Sequence, residues 1–231
     1  SNHCVKKLYF SSGSISLEGF GCLARGLSRN TSLESIDLSF TRMTDTSVIA
    51  LVNGLRTNKT LNCLNLSSNC ALSQSGRAAI EQLMGYNVLR ELNLANTAGS
   101  VGASILTSGL SDNHSIEKLD LKGTFVDGEE SETVCALCLS LRGNTTLRYL
   151  NVSGNSVCLD GVYATALKLD TMSLETLDLS KTVVTSCGIG AIAQSLQGPC
   201  TLRELSLFGC DLDDTGLIKV GKALITNDAL E

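Results

Sequence analysis

The sequence predicts an α/β solenoid, a right-handed superhelix in which one short strand-and-helix unit is stacked eight times. Three observations predict it: an apolar pattern recurs from end to end, each copy opens with strand spacing, and each continues with helix spacing. The copies begin at Val5, Leu33, Leu61, Leu89, Ile116, Leu147, Leu174 and Leu202. The nearly constant distance between successive starts marks a repeat architecture. We call each copy a coil, and we predict one elongated repeat domain over residues 1–231.

The first element of each coil is a short strand. In the second coil Ile36 and Leu38 are two residues apart, so both side chains turn to the same inward face. Asp37 lies between them and must face outward. The strands of successive coils should therefore form a parallel sheet with one apolar face and one polar face.

The second element is a turn marked by a small residue three positions after the last strand apolar. We call it the ladder position, and its residues are Gly13, Thr41, Asn69, Thr97, Thr124, Asn155, Thr182 and Cys210. Where the chain leaves the sheet, backbone groups lose their partners, and short polar side chains restore those hydrogen bonds. We expect this row to hold neighbouring coils together.

The third element is a helix. The second coil has apolar residues at i, i+3, i+4 and i+7, namely Val48, Leu51, Val52 and Leu55. The last coil repeats this stripe at Leu217, Val220, Gly221 and Leu224. The triplets Thr44-Asp45-Thr46 and Asp213-Asp214-Thr215 place capping oxygens where these helices should begin. Because strands pack more closely than helices, the stack should bend into a horseshoe arc with the sheet on its concave face and the helices on its convex face.

A lead-in of the form Asn-x-[Ser/Thr]-Leu precedes several strands, as at residues 30–33, 58–61 and 144–147. With this lead-in, the repeat length and a helix in each coil, the chain resembles the ribonuclease-inhibitor type of leucine-rich repeat. That type is shared with NOD-like receptors and Ran GTPase-activating proteins. The resemblance covers residues 5–231 and implies the fold, but proteins of this type bind unrelated partners.

Composition argues against several classes of protein. The net charge is −5 and the 18 basic residues are scattered. This disfavours a nucleic-acid partner, because a surface that binds nucleic acid needs a basic stripe. No apolar run approaches the roughly 18 residues of a membrane span, and the first residues lack the apolar core of a signal peptide. We therefore expect no nucleic acid and no membrane as partners.

The ten cysteines do not recur as disulfide pairs would. Cys22 and Cys187 fall in helical segments, Cys63 on a strand and Cys210 on the ladder, which suits a reducing compartment where cysteine acts as a small buried hydrophobe. We predict a cytoplasmic or nuclear protein. The CxxC of residues 135–138 has no second pair, so core packing is favoured over metal or redox chemistry. We predict no metal, no cofactor and no catalytic residue.

Six Asn-x-Ser/Thr triplets begin at Asn30, Asn58, Asn65, Asn113, Asn144 and Asn151. Most fall in the lead-in, so the repeat itself generates them, and glycosylation is the weaker interpretation.

The chain begins within a repeat and ends at Leu230, the first residue of a further one. We expect it to be a segment of a longer protein. Solenoids need polar caps at their ends, and neither end carries one. Apolar side chains should therefore be partly uncovered at Leu8, Phe10 and Ile15 and at Leu212, Leu217 and Leu224, and we expect end-to-end self-association.

The outward residues of the strands carry the functional prediction. The middle row reads Tyr9, Asp37, Asn65, Asn93, Asp120, Asn151, Asp178 and Ser206. Aspartate and asparagine are poor strand formers, so their recurrence has a cause, either solvation with sideways hydrogen bonds or recognition of a basic or polar partner. We predict a non-catalytic scaffold that binds a protein on this face. The predicted contact residues are Tyr9, Asp37, Glu91, Lys118, Asp120, Lys122, Tyr149, Asn151, Asp178, Glu204 and Phe208.

Two other functions stay open. Arg42 directly follows ladder residue Thr41, and the resemblance to Ran GTPase-activating proteins implies a GTPase-activating arginine at such a place. An architectural segment of a larger cytoskeletal or receptor protein is the other alternative. The fifth coil is longer than the others, and its acidic run at 127–132 is interpreted as a first helical turn or as a docking or phosphorylation loop.

Overall fold

The computed structural model describes residues 4–69, 72–97, 109–124, 140–141, 144–155, 158–160, 169 and 173–230. Eight strands form one parallel sheet: β1 (Lys7–Tyr9), β2 (Ser35–Asp37), β3 (Cys63–Asn65), β4 (Glu91–Asn93), β5 (Lys118–Asp120), β6 (Tyr149–Asn151), β8 (Thr176–Asp178) and β10 (Glu204–Ser206). Each strand pairs with the strand of the next coil. Two further strands, β7 (Cys158–Leu159) and β9 (Val183–Val184), pair in a small second sheet. The predicted α/β solenoid is confirmed.

The register of the large sheet follows the repeat without slippage. Ile36 pairs with Leu64, and Leu64 pairs with Leu92. These central residues are buried, whereas the residues on either side of them belong to the opposite face because side chains alternate along a strand. Equivalent outward positions of all eight coils therefore lie in straight rows across the sheet.

Five helices whose bounds the structure describes stand behind the sheet: α1 (Leu17–Arg29), α2 (Asp45–Leu55), α3 (Gln74–Gly85), α4 (Ser186–Leu196) and α5 (Asp214–Leu224). Among these, α1 packs on α2, α2 on α3, and α4 on α5. The predicted apolar stripe of α2 is buried, which confirms the helix period. Because helices need more lateral room than strands, the sheet lies on the concave face and the helices on the convex face.

The helix starts also connect neighbouring coils. Asp213 caps α5 as predicted, accepting the backbone N–H of Gly216 at 2.7 Å and the Ser186 hydroxyl at 2.9 Å. These hydrogen bonds, the Gly216 N–H first, lower the pKa of Asp213. Asp45 accepts the backbone N–H of Ser73 at 3.0 Å and also its hydroxyl, and the hydroxyl is the main cause of the lowered pKa of Asp45.

One predicted cap is wrong. Thr44 occupies the N-cap position of α2, but its side chain makes no capping hydrogen bond. Its hydroxyl lies instead 2.9 Å from the hydroxyl of Thr46 and 3.2 Å from that of Ser47. The neighbouring hydroxyls compete with the backbone for the same oxygen.

The ladder residues join coils as predicted. The Asn69 amide donates to the carbonyl of Leu38 in the preceding coil at 3.0 Å and to that of Leu66 in its own coil at 2.8 Å. Its oxygen accepts the backbone N–H groups of Thr41 and Met43 at 3.0 and 3.1 Å. One buried side chain thereby satisfies four backbone groups that the sheet leaves unpaired.

A left-handed residue precedes every ladder position. The eight residues have φ between 51° and 69° and are Ser12, Phe40, Ser68, Asn96, Gly123, Gly154, Lys181 and Gly209. The backbone N–H of Phe40, for example, donates to the carbonyl of Ser67 in the next coil at 3.1 Å. The left-handed residue thus adds a backbone hydrogen bond between coils after the strands have ended.

A second asparagine ladder lies in the lead-in, where the sequence had indicated only the repeat type. The Asn58 amide donates to the carbonyl of Leu27 in the preceding coil at 2.7 Å, and its oxygen accepts the N–H of Leu61 at 2.8 Å. Asn144 repeats this arrangement with Leu110 and Leu147. Asn58 and Asn144 are buried, so these two triplets serve packing, as the repeat interpretation predicted.

Apolar side chains are uncovered on the first and last coils. Leu217 and Leu224 of α5 are 64% and 48% exposed, whereas their equivalents in α4 are buried. At the other end Phe10 is exposed, and a groove of about 360 Å³ is lined by Val5, Leu8, Cys22, Leu23, Gly26, Leu27, Asn30 and Leu33. The predicted exposure of the end coils is confirmed; self-association stays a prediction.

The cysteine prediction is partly wrong. Among the described residues, Cys22, Cys63, Cys187, Cys200 and Cys210 are free thiols. Of these only Cys210 is buried, and Cys22 and Cys187 are exposed on their helices, so they do not act as buried hydrophobes. Each occupies a helix position that faces away from the apolar stripe, which periodicity alone did not resolve.

Candidate functional site: the concave sheet face

Aspartate and asparagine recur on the concave face because each one ends its strand. Asp37 accepts the backbone N–H of Ser39 at 2.8 Å, two residues ahead. The same hydrogen bond, between 2.9 and 3.0 Å, is made by Asn65, Asn93, Asp120, Asn151 and Asp178. This Asx turn requires a short side chain with a carbonyl or carboxylate oxygen. The cause is a local turn, which neither of the two interpretations from the sequence had named.

The Asx turn uses one oxygen of each side chain. In Asp37, Asn65, Asn93, Asp120 and Asp178, which are half-buried, the second polar atom stays available to the concave surface, whereas Asn151 is buried. In an aspartate that atom is a carboxylate oxygen, and in an asparagine it is an amide nitrogen. The coils therefore share one backbone geometry while differing in the charge that they present. The pattern of Asp and Asn along the row sets the electrostatics of the face.

The register brings five predicted contact residues together on β5, β6 and β8. Asp120 pairs with Asn151, and Asn151 pairs with Asp178. Two residues earlier on this face, Lys118 pairs with Tyr149. We call Lys118, Asp120, Tyr149, Asn151 and Asp178 the central cluster.

Tyr149 is the aromatic residue of the central cluster. The Lys118 ammonium lies 5.0 Å from the centroid of its ring, within the range of a cation–π contact. Burial raises the pKa of the Tyr149 hydroxyl, and the negative charge of Asp120 raises it further. Asp178 and Glu204 act in the same direction. The tyrosine thus stays protonated at neutral pH and offers a hydroxyl donor among carboxylates.

The other predicted residues extend along the face on both sides of the cluster. Tyr9 on β1 and Phe208, just after β10, are 68% and 72% exposed. Glu91 on β4 and Glu204 on β10 are exposed. The structure therefore does not gather all predicted residues into one site, because they span the sheet from its first to its last strand. Lys122 is exposed beyond the end of β5.

Cys63 lies on this face but was not among the predicted contact residues. Cys63 of β3 lies in the same row as Glu91, and its thiol donates to the Glu91 carboxylate at 3.6 Å. Burial raises the pKa of the Cys63 thiol, which keeps it a thiol rather than a reactive thiolate. The row position, two residues before Asn65, was the available signal.

Arg42 lies off the concave face, at the edge where β2 has ended. It is exposed and has φ of 55°. The acidic run at 127–132 and the CxxC of residues 135–138 fall outside the described residues. Within the described ranges, no group of three or more His, Cys, Asp or Glu side chains is placed to hold a metal ion, and no helix there is both long and apolar enough to cross a bilayer.

Comparison with known proteins identifies the repeat. The leucine-rich repeat family model matches residues 29–52, 57–80, 143–164 and 198–221, and each match includes a lead-in and a strand of the large sheet. The chain is a leucine-rich repeat protein of the ribonuclease-inhibitor-like type. The resemblance inferred from the lead-in asparagines is confirmed.

The related proteins are longer than this chain. The ribonuclease inhibitor of Sus scrofa is 28% identical over 210 residues, which cover 88% of this chain and 45% of the inhibitor. The NACHT, LRR and PYD domains-containing protein 14 of Mus musculus is 31% identical over 216 residues, 91% of this chain and 20% of that protein. This chain thus spans less than half the length of either relative.

One solved structure aligns with part of this chain. The actin-binding site 2 of leiomodin-1 matches 58% of this chain and 80% of its own, with 25% identity and a TM-score of 0.48.

Proposed function

We propose that this leucine-rich repeat protein is a non-catalytic interaction scaffold and that its concave sheet face binds a protein partner. The observation that carries the proposal is the central cluster, in which a half-buried tyrosine stands between a lysine and several carboxylates. Aromatic residues with charged neighbours are the usual composition of binding hot spots. The family to which the chain belongs is typical of protein-interaction scaffolds.

The proposed partner surface is basic or polar. Carboxylates of Asp37, Glu91, Asp120, Asp178 and Glu204 stand on this face, against ammonium groups at three positions, Lys7, Lys118 and Lys122. An acidic face steers a basic partner toward it and raises the association rate. An open sheet does not exclude water as a catalytic pocket does, which supports binding rather than catalysis.

The free thiols of the described residues support a further part of the proposal, a reducing compartment such as the cytoplasm or nucleus, because paired disulfides would be expected in an oxidising one.

The experiment uses substitutions that keep the turns intact. Asparagine already occupies the Asx position in three coils, at Asn65, Asn93 and Asn151. Asp120→Asn and Asp178→Asn should therefore remove charge without removing the capping oxygen. The partner is first captured from native lysate and purified. Combined with Tyr149→Ala, the two substitutions should weaken the affinity of the chain for this partner by about 30-fold or more.

The matched control is Gln194→Lys, a charge change on the exposed side of α4. It should leave affinity unchanged, and thermal unfolding should show that the triple variant is folded. Equal affinity of the triple variant and the wild type would contradict binding through the central cluster.

A further inference from the structure

Two left-handed residues flank ladder residue Thr41 in the second coil. Phe40 and Arg42 both have φ of 55°. For a residue with a bulky side chain this backbone region is strained, because Cβ approaches the following carbonyl oxygen. Strained residues of this kind concentrate at functional sites.

The fold itself does not require a phenylalanine and an arginine there. In the last coil the same pair of left-handed residues flanks Cys210, and the residues are Gly209, with φ of 69°, and Asp211, with φ of 47°. Glycine and aspartate adopt this conformation at little or no cost. The second coil therefore bears strain that an equivalent turn of the same chain avoids.

Both side chains are presented to solvent. Phe40 is 59% exposed and Arg42 is exposed. Within the part of the chain that the structure describes, the Arg42 guanidinium has no hydrogen bond or ion pair. A cavity of about 550 Å³ opens beside them; we call it the rim pocket, and it is lined by Ser12, Gly13, Ser14, Phe40, Arg42, Ser68 and Asn69.

The chemistry of the rim pocket indicates its ligand. Among the lining residues that the structure describes, Arg42 alone is charged, and the exposed ones among the others supply serine hydroxyls and the Phe40 ring. A guanidinium pairs with a carboxylate through two parallel hydrogen bonds, and an exposed ring next to it buries an apolar side chain. The volume lies in the range of cavities that hold small ligands or a few side chains.

We propose that the rim pocket docks an extended peptide segment of a partner protein, with an Asp or Glu on Arg42 and a neighbouring apolar side chain on Phe40. This surface is separate from the central cluster. β2 lies four strands from β6 in the sheet, roughly 19 Å at the usual strand spacing. Its charge is also opposite to that of the concave carboxylates, so the two surfaces select different partners.

The test is selection of a phage-displayed random peptide library on the immobilised chain. We expect enriched peptides that carry an acidic residue beside an apolar one. Phe40→Gly and Arg42→Gln should each weaken their binding at least about 10-fold, whereas Asp120→Asn combined with Tyr149→Ala should leave it unchanged. Because glycine relieves the left-handed strain, Phe40→Gly should keep or raise the melting temperature, by about 2–4 °C.

A lower melting temperature of Phe40→Gly would overturn the strain argument. Failure to enrich peptides, or peptides whose binding is indifferent to Phe40 and Arg42, would overturn the proposed site. Enrichment of basic peptides that depend on Asp120 and Tyr149 would also overturn it, while supporting the concave face as a binding surface. The two proposals can therefore fail separately.

Discussion

Two glycines one repeat apart provide a sharp test of the packing between coils. Gly54 is in α2, and Gly26 occupies the equivalent position of α1. A Cβ added to Gly54 would lie 2.5 Å from the carbonyl oxygen of Ala24 and 2.7 Å from its Cβ. A Cβ added to Gly26 would meet no atom within 4 Å. A glycine-to-alanine substitution at this repeat position therefore meets a packed neighbour in α2 and open space in α1.

The magnitude follows from two opposed effects. Alanine is about 0.8–1 kcal/mol better than glycine inside a helix, and this gain applies to both positions. At Gly54 the new methyl must push α1 away by nearly 1 Å to reach the roughly 3.5 Å of normal carbon contacts, and overpacking of this kind costs about 1–3 kcal/mol. Since the clash involves backbone atoms, we take the upper half of that range.

We therefore expect Gly54→Ala to destabilise the protein by about 1–2 kcal/mol and Gly26→Ala to stabilise it by up to about 1 kcal/mol. Urea unfolding followed by circular dichroism measures both, with an unchanged slope as the condition for comparison. If the two variants had equal stability, or if Gly54→Ala were the more stable, the close approach of α1 and α2 would be refuted.

Three more predictions follow from the ladders, the carboxylates and the end coils. Asn69→Leu leaves four backbone groups unpaired and should cost about 3 kcal/mol in urea unfolding, whereas Thr97→Val loses one 3.3 Å hydrogen bond and should cost about 1 kcal/mol. The lowered pKa of Asp45 contributes stability that is fully present above its unfolded pKa of about 3.9 and is lost as pH falls through the lower folded value; Asp45→Asn should flatten the decline of melting temperature under acid. Leu23→Glu and Leu224→Glu each alter one of the two end surfaces, so each variant alone should stay monomeric in sedimentation velocity. Mixed together, the two variants should form a one-to-one dimer through their unaltered ends.

Each of these has a contrary result. Equal losses for Asn69→Leu and Thr97→Val would show that the asparagine is not the principal link between coils. An unchanged acid profile in Asp45→Asn would mean that its serine hydrogen bonds do not persist in solution. A monomeric wild type, or no pairing of the two end variants, would contradict head-to-tail association.

The positions of the concave-face residues were predictable from the sequence, but the reason why aspartate and asparagine recur there was not. The period of two placed Asp37 and Asp178 on the outward side, and the repeat length placed them in one row. The Asx turn that explains them depends on the backbone angles of each aspartate and of the residue after it, which no apolar pattern encodes. The strain at Phe40 was hidden for the same reason, because the composition of other coils at that position is small or polar.

The sequence by itself determined the architecture of this protein. A repeat of nearly constant length, with strand spacing followed by helix spacing, permits one way to bury every apolar stripe, which is to stack the coils. What only the tertiary structure decided is which polar atoms meet between coils. Three features depend on how one coil packs on the next: the hydrogen bonds of the ladder asparagines to two coils, the approach of Gly54 to Ala24, and the open pocket beside Arg42. That placement is set by contacts a full repeat apart in the chain, such as the one between Thr41 and Asn69, which a local pattern cannot specify.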